Sequence, residues 1–173
     1  MPEDVKLSNE EAEAKKKAEE LEEFLSIKDM DGNLIYKSSK EELTDVLTSI
    51  LTTGKFVKTF NPFKGIVELT YESITNEKRT KAYELVKEYA DNHKDTSRLI
   101  LDSYTSKVNA ALQLVRIQIG KSEPINLSQV DLIERIKFLT EMPEETVNLV
   151  SKYLMVFANI TSRAFNSEEI LKN

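Results

Sequence analysis

The sequence predicts a mainly α protein with a small β-hairpin: about six helices packed as an irregular bundle, with a projecting hairpin near residues 55–71. Three observations lead there. Apolar residues recur at helical spacing through most of the 173 residues. Capping signals stand at the starts of those periodic stretches. One segment breaks the period: Lys55-Phe-Val-Lys-Thr-Phe-Asn-Pro-Phe-Lys-Gly-Ile-Val-Glu-Leu-Thr-Tyr71 places two β-rich runs around Asn61-Pro62 and Lys64-Gly65. The organisation expected is a charged helical arm over 1–26 and a single α-rich domain over 27–173.

The arm opens with Ser8 and Glu11, a capping-box spacing, and continues in Glu, Lys and Ala, all good helix formers. Its apolar content is thin. Leu7, Ala14 and Leu21 fall seven apart, as do Ala18 and Leu25, which fits either a solvated helix or an arm laid along a neighbouring subunit through a narrow seam. Next, Asp29-Met-Asp-Gly-Asn33 suggests a calcium loop, but a loop starting at Asp29 has Leu34 where glycine is needed and Lys40 where the bidentate glutamate belongs. Asp31-Gly32 reads instead as a tight turn, with Leu34 and Tyr36 on its return arm.

Ser39 and Glu42 start a second helix. Leu43, Val46, Leu47, Ile50 and Leu51 form its stripe, and Gly54 stands where a left-handed residue ends a helix. Thr75 caps a third helix to about Ala90. A fourth is expected from Thr96 to Ile119, with Leu101, Tyr104, Val108, Ala111, Leu112, Val115 and Ile119 on one side and Gly120 as its stop. Ser128 with Asp131 starts a fifth, carrying Leu132, Ile133, Ile136 and Leu139. Pro143 at a first helical position, followed by Glu144 and Glu145, starts a sixth that reaches about Asn166.

Chemistry-bearing motifs do not emerge. The lone His93 sits among Asp91, Asn92, Lys94 and Asp95 in an interhelical stretch, where a shielded general base is not expected. The chain has no cysteine, so thiolate metal sites and disulfides are excluded, and one histidine does not make a zinc site. No glycine-rich phosphate loop occurs, and the adjacent pairs Glu144-Glu145 and Glu168-Glu169 do not face one way on a helix. Catalytic residues, cofactor and metal are therefore all expected to be none. A net charge of −6 argues against a phosphate-coating nucleic-acid binder, and no apolar run suits a membrane span or a signal peptide. A cytoplasmic setting is expected.

The hairpin carries Lys55, Lys58 and Lys64 interleaved with Phe56, Phe60 and Phe63. That composition fits a sheet edge guarded by lysine, or a protein contact, better than a base-stacking surface in so acidic a chain. Alternation sends Phe56 and Phe60 to one face and Val57 and Thr59 to the other, while Phe63 falls in the turn beside Pro62. The residues expected to bind a partner are thus Phe56, Phe60, Phe63 and Lys64, with Leu21 and Leu25 on the arm. Phe63 has a competing reading, in which it folds back onto the chain's own helices.

The run Phe63-Lys-Gly-Ile-Val-Glu-Leu-Thr70 leading into a Thr75-capped helix, then a long helix and a closing one with Tyr153 and Phe157, resembles small helical proteins of tailed bacteriophages. The nearest are tail assembly chaperones and baseplate-hub assembly proteins. The likeness spans roughly Phe56 to Phe165 and carries no diagnostic motif. It implies a non-enzymatic structural or assembly protein that docks into a multi-protein complex with other tail or baseplate subunits, in the host cytoplasm or the virion. Without the resemblance, a cellular protein–protein adaptor or regulator using the acidic N-terminal helix fits the same residues.

Overall fold

The computed structural model describes residues 9–63 and 65–166. They contain six helices and two small antiparallel sheets: α1 Asn9–Leu25, β1 Ser26–Lys28, β2 Leu34–Lys37, α2 Lys40–Thr53, β3 Val57–Phe60, β4 Val67–Glu72, α3 Asn76–Asn92, α4 Arg98–Gln113, β5 Leu114–Ile119, β6 Ile125–Asn126, α5 Leu132–Glu141 and α6 Glu144–Asn166. The protein is mostly α with some β. Two compact units result: one takes residues up to Leu47 together with those from Asn159 on, the other Thr48–Ala158.

In the first unit, α1 leads directly into the β1–β2 pair. Residues 11–20 of α1 are exposed, and Leu21, Phe24 and Leu25 in its last turn are half-buried. Ser8 and Leu7, on which the capping box and part of the seam were placed, lie outside the described residues. The Arg163 guanidinium holds the end of α1 by donating to the Phe24 and Ser26 carbonyls, and it stands 5.7 Å from the Phe24 ring. Burial lowers its pKa. Between β1 and β2 the Asp31-Gly32 turn forms as expected. Asp29 Oδ1 accepts the amides of Asp31 (3.1 Å) and Asn33 (2.8 Å), which commits that carboxylate to its own loop. Gly32 adopts φ +82°, which a side chain would oppose. Ser39 Oγ then accepts the Glu42 amide at 3.0 Å to start α2, while the Glu42 carboxylate accepts the Tyr36 hydroxyl. Ile27, Leu43, Val46, Ile160 and Ala164 are buried.

The second unit is where the structure departs from expectation. The 55–71 segment forms the expected hairpin, β3 paired with β4, but the hairpin does not stand alone. Its strands are two members of a four-stranded antiparallel sheet ordered β3-β4-β5-β6, with β4 inside it. The third strand comes from what was expected to be the last turns of the fourth helix, which stops at Gln113. Leu114-Val-Arg-Ile-Gln-Ile119 satisfies a helical period, but it also alternates and is rich in β-branched residues. Pairing with β4 supplies a partner for β4's outer peptide groups, which a longer α4 would have left unmet. A bulge between Thr70 and Tyr71 adjusts the register, so that Tyr71 opposes Leu114.

The sheet has one apolar and one polar face. Thr59 and Thr70 pair through their hydroxyls at 2.9 Å, and Arg116 meets Glu68 at 2.8 Å, on the polar face. The opposite face buries Phe60, Leu69, Tyr71 and Ile117. Aromatic rings of α6 cover it: Phe60 lies 5.4 Å from Tyr153, Tyr71 5.8 Å from Phe157, and Phe56 stacks on Phe157 at 5.5 Å. Each such buried ring contributes about 1.5–3 kcal/mol through area removed from water. The Tyr71 hydroxyl donates to the Val150 carbonyl at 2.7 Å. Burial, with repulsion from Tyr153 second, pushes its phenol pKa well above the usual value.

Helix caps follow the sequence more closely. Thr75 Oγ1 accepts the Lys78 amide, and Asp131 accepts the Ile133 amide at 2.9 Å to begin α5. Ser128, expected at that start, instead donates to Asn126 Oδ1 within the preceding turn. Leu51, expected in the buried stripe of α2, is exposed. Arg135 was not anticipated: it is 9% exposed and donates to three carbonyls, Val130 (2.8 Å), Ser128 (2.9 Å) and Ala111 (3.2 Å).

Candidate docking surface at the end of the four-stranded sheet

Because the sheet is antiparallel in the order β3-β4-β5-β6, the β3–β4 and β5–β6 connections leave from the same end. Val67 opposes Ile119 across the β4–β5 ladder, and the Gly120 amide donates to the Ile66 carbonyl at 2.6 Å, so the two turns are tied together. Within the first turn the Ile66 amide donates to the Phe63 carbonyl at 3.0 Å. Gly65 has φ +90°, a conformation that lets the chain reverse there.

These turns and the strand ends beside them carry four large apolar side chains that the fold leaves in water. Phe63 is 54% exposed, Ile66 61%, and Ile119 and Ile125 46% each. Single exposed apolar residues are ordinary, whereas several gathered on one end of a sheet are a feature of interaction sites.

The residues singled out from sequence fall into three groups. Phe63 stands in this exposed end. Phe60 does not: it is buried between Tyr71 and Tyr153, and half-buried Phe56 stacks on Phe157. Alternation placed those two rings on one face correctly, and that face is the one α6 covers. Leu21 and Leu25 are half-buried in the last turn of α1, where the Leu25 carbonyl accepts the Ser38 amide. Lys64 lies outside the described residues. Ile119 and Ile125 were missed because residues to 119 read as helix. The signal that would have found them is the alternation of Val115, Ile117 and Ile119 followed by Gly120 and Pro124.

The charged groups near the hairpin are engaged by neighbours. Glu72 meets Lys55 at 3.3 Å and Lys78 at 3.5 Å, and Lys58 lies 5.4 Å from the Phe60 ring centroid. His93 stacks on Tyr89 at 4.3 Å, and Tyr89 stacks on Tyr104 at 3.9 Å; the His93 Nδ1 lies 2.9 Å from the Tyr89 carbonyl oxygen. This joins the end of α3 to α4 and gives the ring a packing role. Among the described residues no group of three or more His, Asp or Glu side chains is placed to hold a metal ion, and no helix is long and apolar enough to cross a membrane. Comparison with protein-family models, with curated proteins and with solved structures gives no match.

Proposed function

We propose that this chain is a non-enzymatic structural or assembly protein that docks into a multi-protein complex through the exposed end of its four-stranded sheet. The observation that carries the reading is the group Phe63, Ile66, Ile119 and Ile125, all substantially exposed around two hydrogen-bonded turns. Burying such side chains against a partner removes large apolar area at small cost in side-chain entropy, the pattern of an interface anchor. The resemblance of the 56–165 pattern to tail assembly chaperones and baseplate-hub assembly proteins makes a bacteriophage tail or baseplate the complex we assign, in the host cytoplasm or the virion. The strand β5 shortens the long helix of that pattern, and the β segment, the Thr75-capped helix and α6 are what continue to support it.

The test is co-expression of the tagged chain with the proteins encoded beside it, followed by pull-down and affinity measurement. Phe63→Ala is expected to weaken the complex by about 1–3 kcal/mol. An unchanged affinity for Phe63→Ala and for Ile66→Ser would remove this surface from the contact.

A second reading is favoured by α1, whose residues 11–20 are all exposed and whose Lys16 and Glu20 pair with each other at 3.8 Å. In it, the acidic helix is the contact of an adaptor or regulator. Retention of the partner after deletion of residues 1–20 would dispose of it.

A further inference from the structure

Helices α3 and α4 pack side by side, and near the turn that joins them three rings form a stacked column. Tyr104 lies 3.9 Å from Tyr89, centroid to centroid, with 13° between the ring planes, and His93 stacks on Tyr89 at 4.3 Å. Two rings cannot share one face at those distances, so His93 covers the face of Tyr89 opposite Tyr104. Neither face of Tyr89 is left open. Both tyrosines are half-buried. Burial raises the pKa of the Tyr104 phenol, with Tyr89 and then Glu88 adding to it, so the two phenols lie within electrostatic reach of each other. In the resting protein this stacking is ordinary aromatic packing.

Stacked phenols are also set up for oxidative coupling. A tyrosyl radical carries its unpaired electron on oxygen and on the ring carbons beside it, Cε1 and Cε2, and joins a second radical stacked on it through those carbons. The geometry points to Tyr89 and Tyr104 as a modification site, joined Cε to Cε as a dityrosine by a peroxide-driven one-electron oxidant such as a ferryl haem. Each phenol gives one electron to the oxidant and its hydroxyl proton to water. The two radicals form the carbon–carbon bond, and the hydrogens on the joined carbons move to the oxygens, restoring both phenols. Two electrons and two protons leave in all, and they reduce one hydrogen peroxide to two waters. Proximity favours this pair over coupling between molecules, since Tyr89 offers no face to a second chain. The chain has no cysteine, so this bond gives the α3–α4 hairpin a staple that a disulfide cannot supply. It closes the 90–103 loop and restricts the unfolded chain as a disulfide does.

The test treats the dilute full-length protein with a haem peroxidase and hydrogen peroxide, at a dose that couples free N-acetyltyrosine. The expected product is a monomer with the blue fluorescence of dityrosine, in which the tryptic peptides 88–94 and 99–107 are joined with the loss of two hydrogens. Each of those peptides holds one tyrosine and no methionine. The yield should not change on further dilution, and the coupled monomer should melt at a higher temperature than the untreated chain. Tyr89→Phe and Tyr104→Phe each keep a ring to stack but lack the phenol, so either should bring the internal product to background. Tyr83→Phe, at a tyrosine 70% exposed on α3, should leave the internal product at its parental yield. Absence of the joined peptides at that dose, their appearance only in dimers, fluorescence of the monomer that survives Tyr89→Phe, or a melting temperature that coupling leaves unchanged would each overturn the proposal.

Discussion

Replacing Arg135 by methionine keeps an unbranched apolar stem, shorter than arginine's, and removes the three nitrogen donors it uses. Those donors now close the 127–131 loop onto the end of α4: Nε binds the Val130 carbonyl, Nη2 that of Ser128, and Nη1 that of Ala111. Ala111 belongs to the last four residues of a helix that ends at Gln113, whose carbonyls lack intrahelical amides and need partners from outside. Hydrogen bonds from a charged donor are worth about 1.5–3 kcal/mol each. Three would sum beyond what single substitutions show, and two terms reduce the total. Burial already costs the guanidinium, as its lowered pKa records, and water can reach the Val130 and Ser128 carbonyls once the side chain is gone. A net loss of about 3–5 kcal/mol follows. In urea denaturation with an m-value near 2 kcal/mol/M, that moves the midpoint down by about 2 M without changing the slope. Arg135→Lys, which can keep one bond, should fall between. A midpoint for Arg135→Met within about 0.5 M of the parent would show that the loop is held by something else.

Other consequences are equally direct. Leu112, 5% exposed in α4, should cost about 2–5 kcal/mol on truncation to alanine, and an unchanged melting midpoint would contradict its place in the core. Tyr71 ionises near pH 10 when unfolded but stays protonated when buried, so its contribution is complete below about pH 10 and declines above it by about 1.4 kcal/mol per pH unit. Tyr71→Phe should flatten that alkaline decline while costing about 1 kcal/mol at neutral pH, and a decline of the same steepness would refute the assignment. Deleting residues 1–20 should change stability by less than about 1 kcal/mol, since residues 11–20 are exposed, whereas extending the deletion through Leu25 should cost more. Equal losses for both deletions would show that the exposed turns of α1 matter to the fold.

What the sequence revealed and what it concealed divide by range. Local signals were legible. The Ser39 and Thr75 caps, the Asp31-Gly32 turn and the left-handed Gly54 each depend on residues a few positions apart, and each forms. Residues 114–119 were not legible, because Leu101 to Ile119 fits a helical period as well as Leu114 to Ile119 fits a strand, and the tie is broken by β4, more than forty residues away in the chain, at Val67–Glu72. Arg135 was hidden for the same reason: a charged residue on an amphipathic helix reads as solvated until its carbonyl partners, up to 24 residues distant, are in place. In the hairpin, alternation assigned Phe56 and Phe60 to one face but not the depth of that face, which depends on Tyr153 and Phe157 of α6.

The central claim is that Phe63 serves docking while Phe60, three residues earlier, serves the fold. It is tested by measuring melting temperature and complex affinity together for the two alanine variants. The account predicts that Phe60→Ala destabilises the protein by about 3–5 kcal/mol, whereas Phe63→Ala leaves the melting temperature almost unchanged and weakens the complex by about 1–3 kcal/mol. A large fall in melting temperature for Phe63→Ala, with the complex intact, would contradict it.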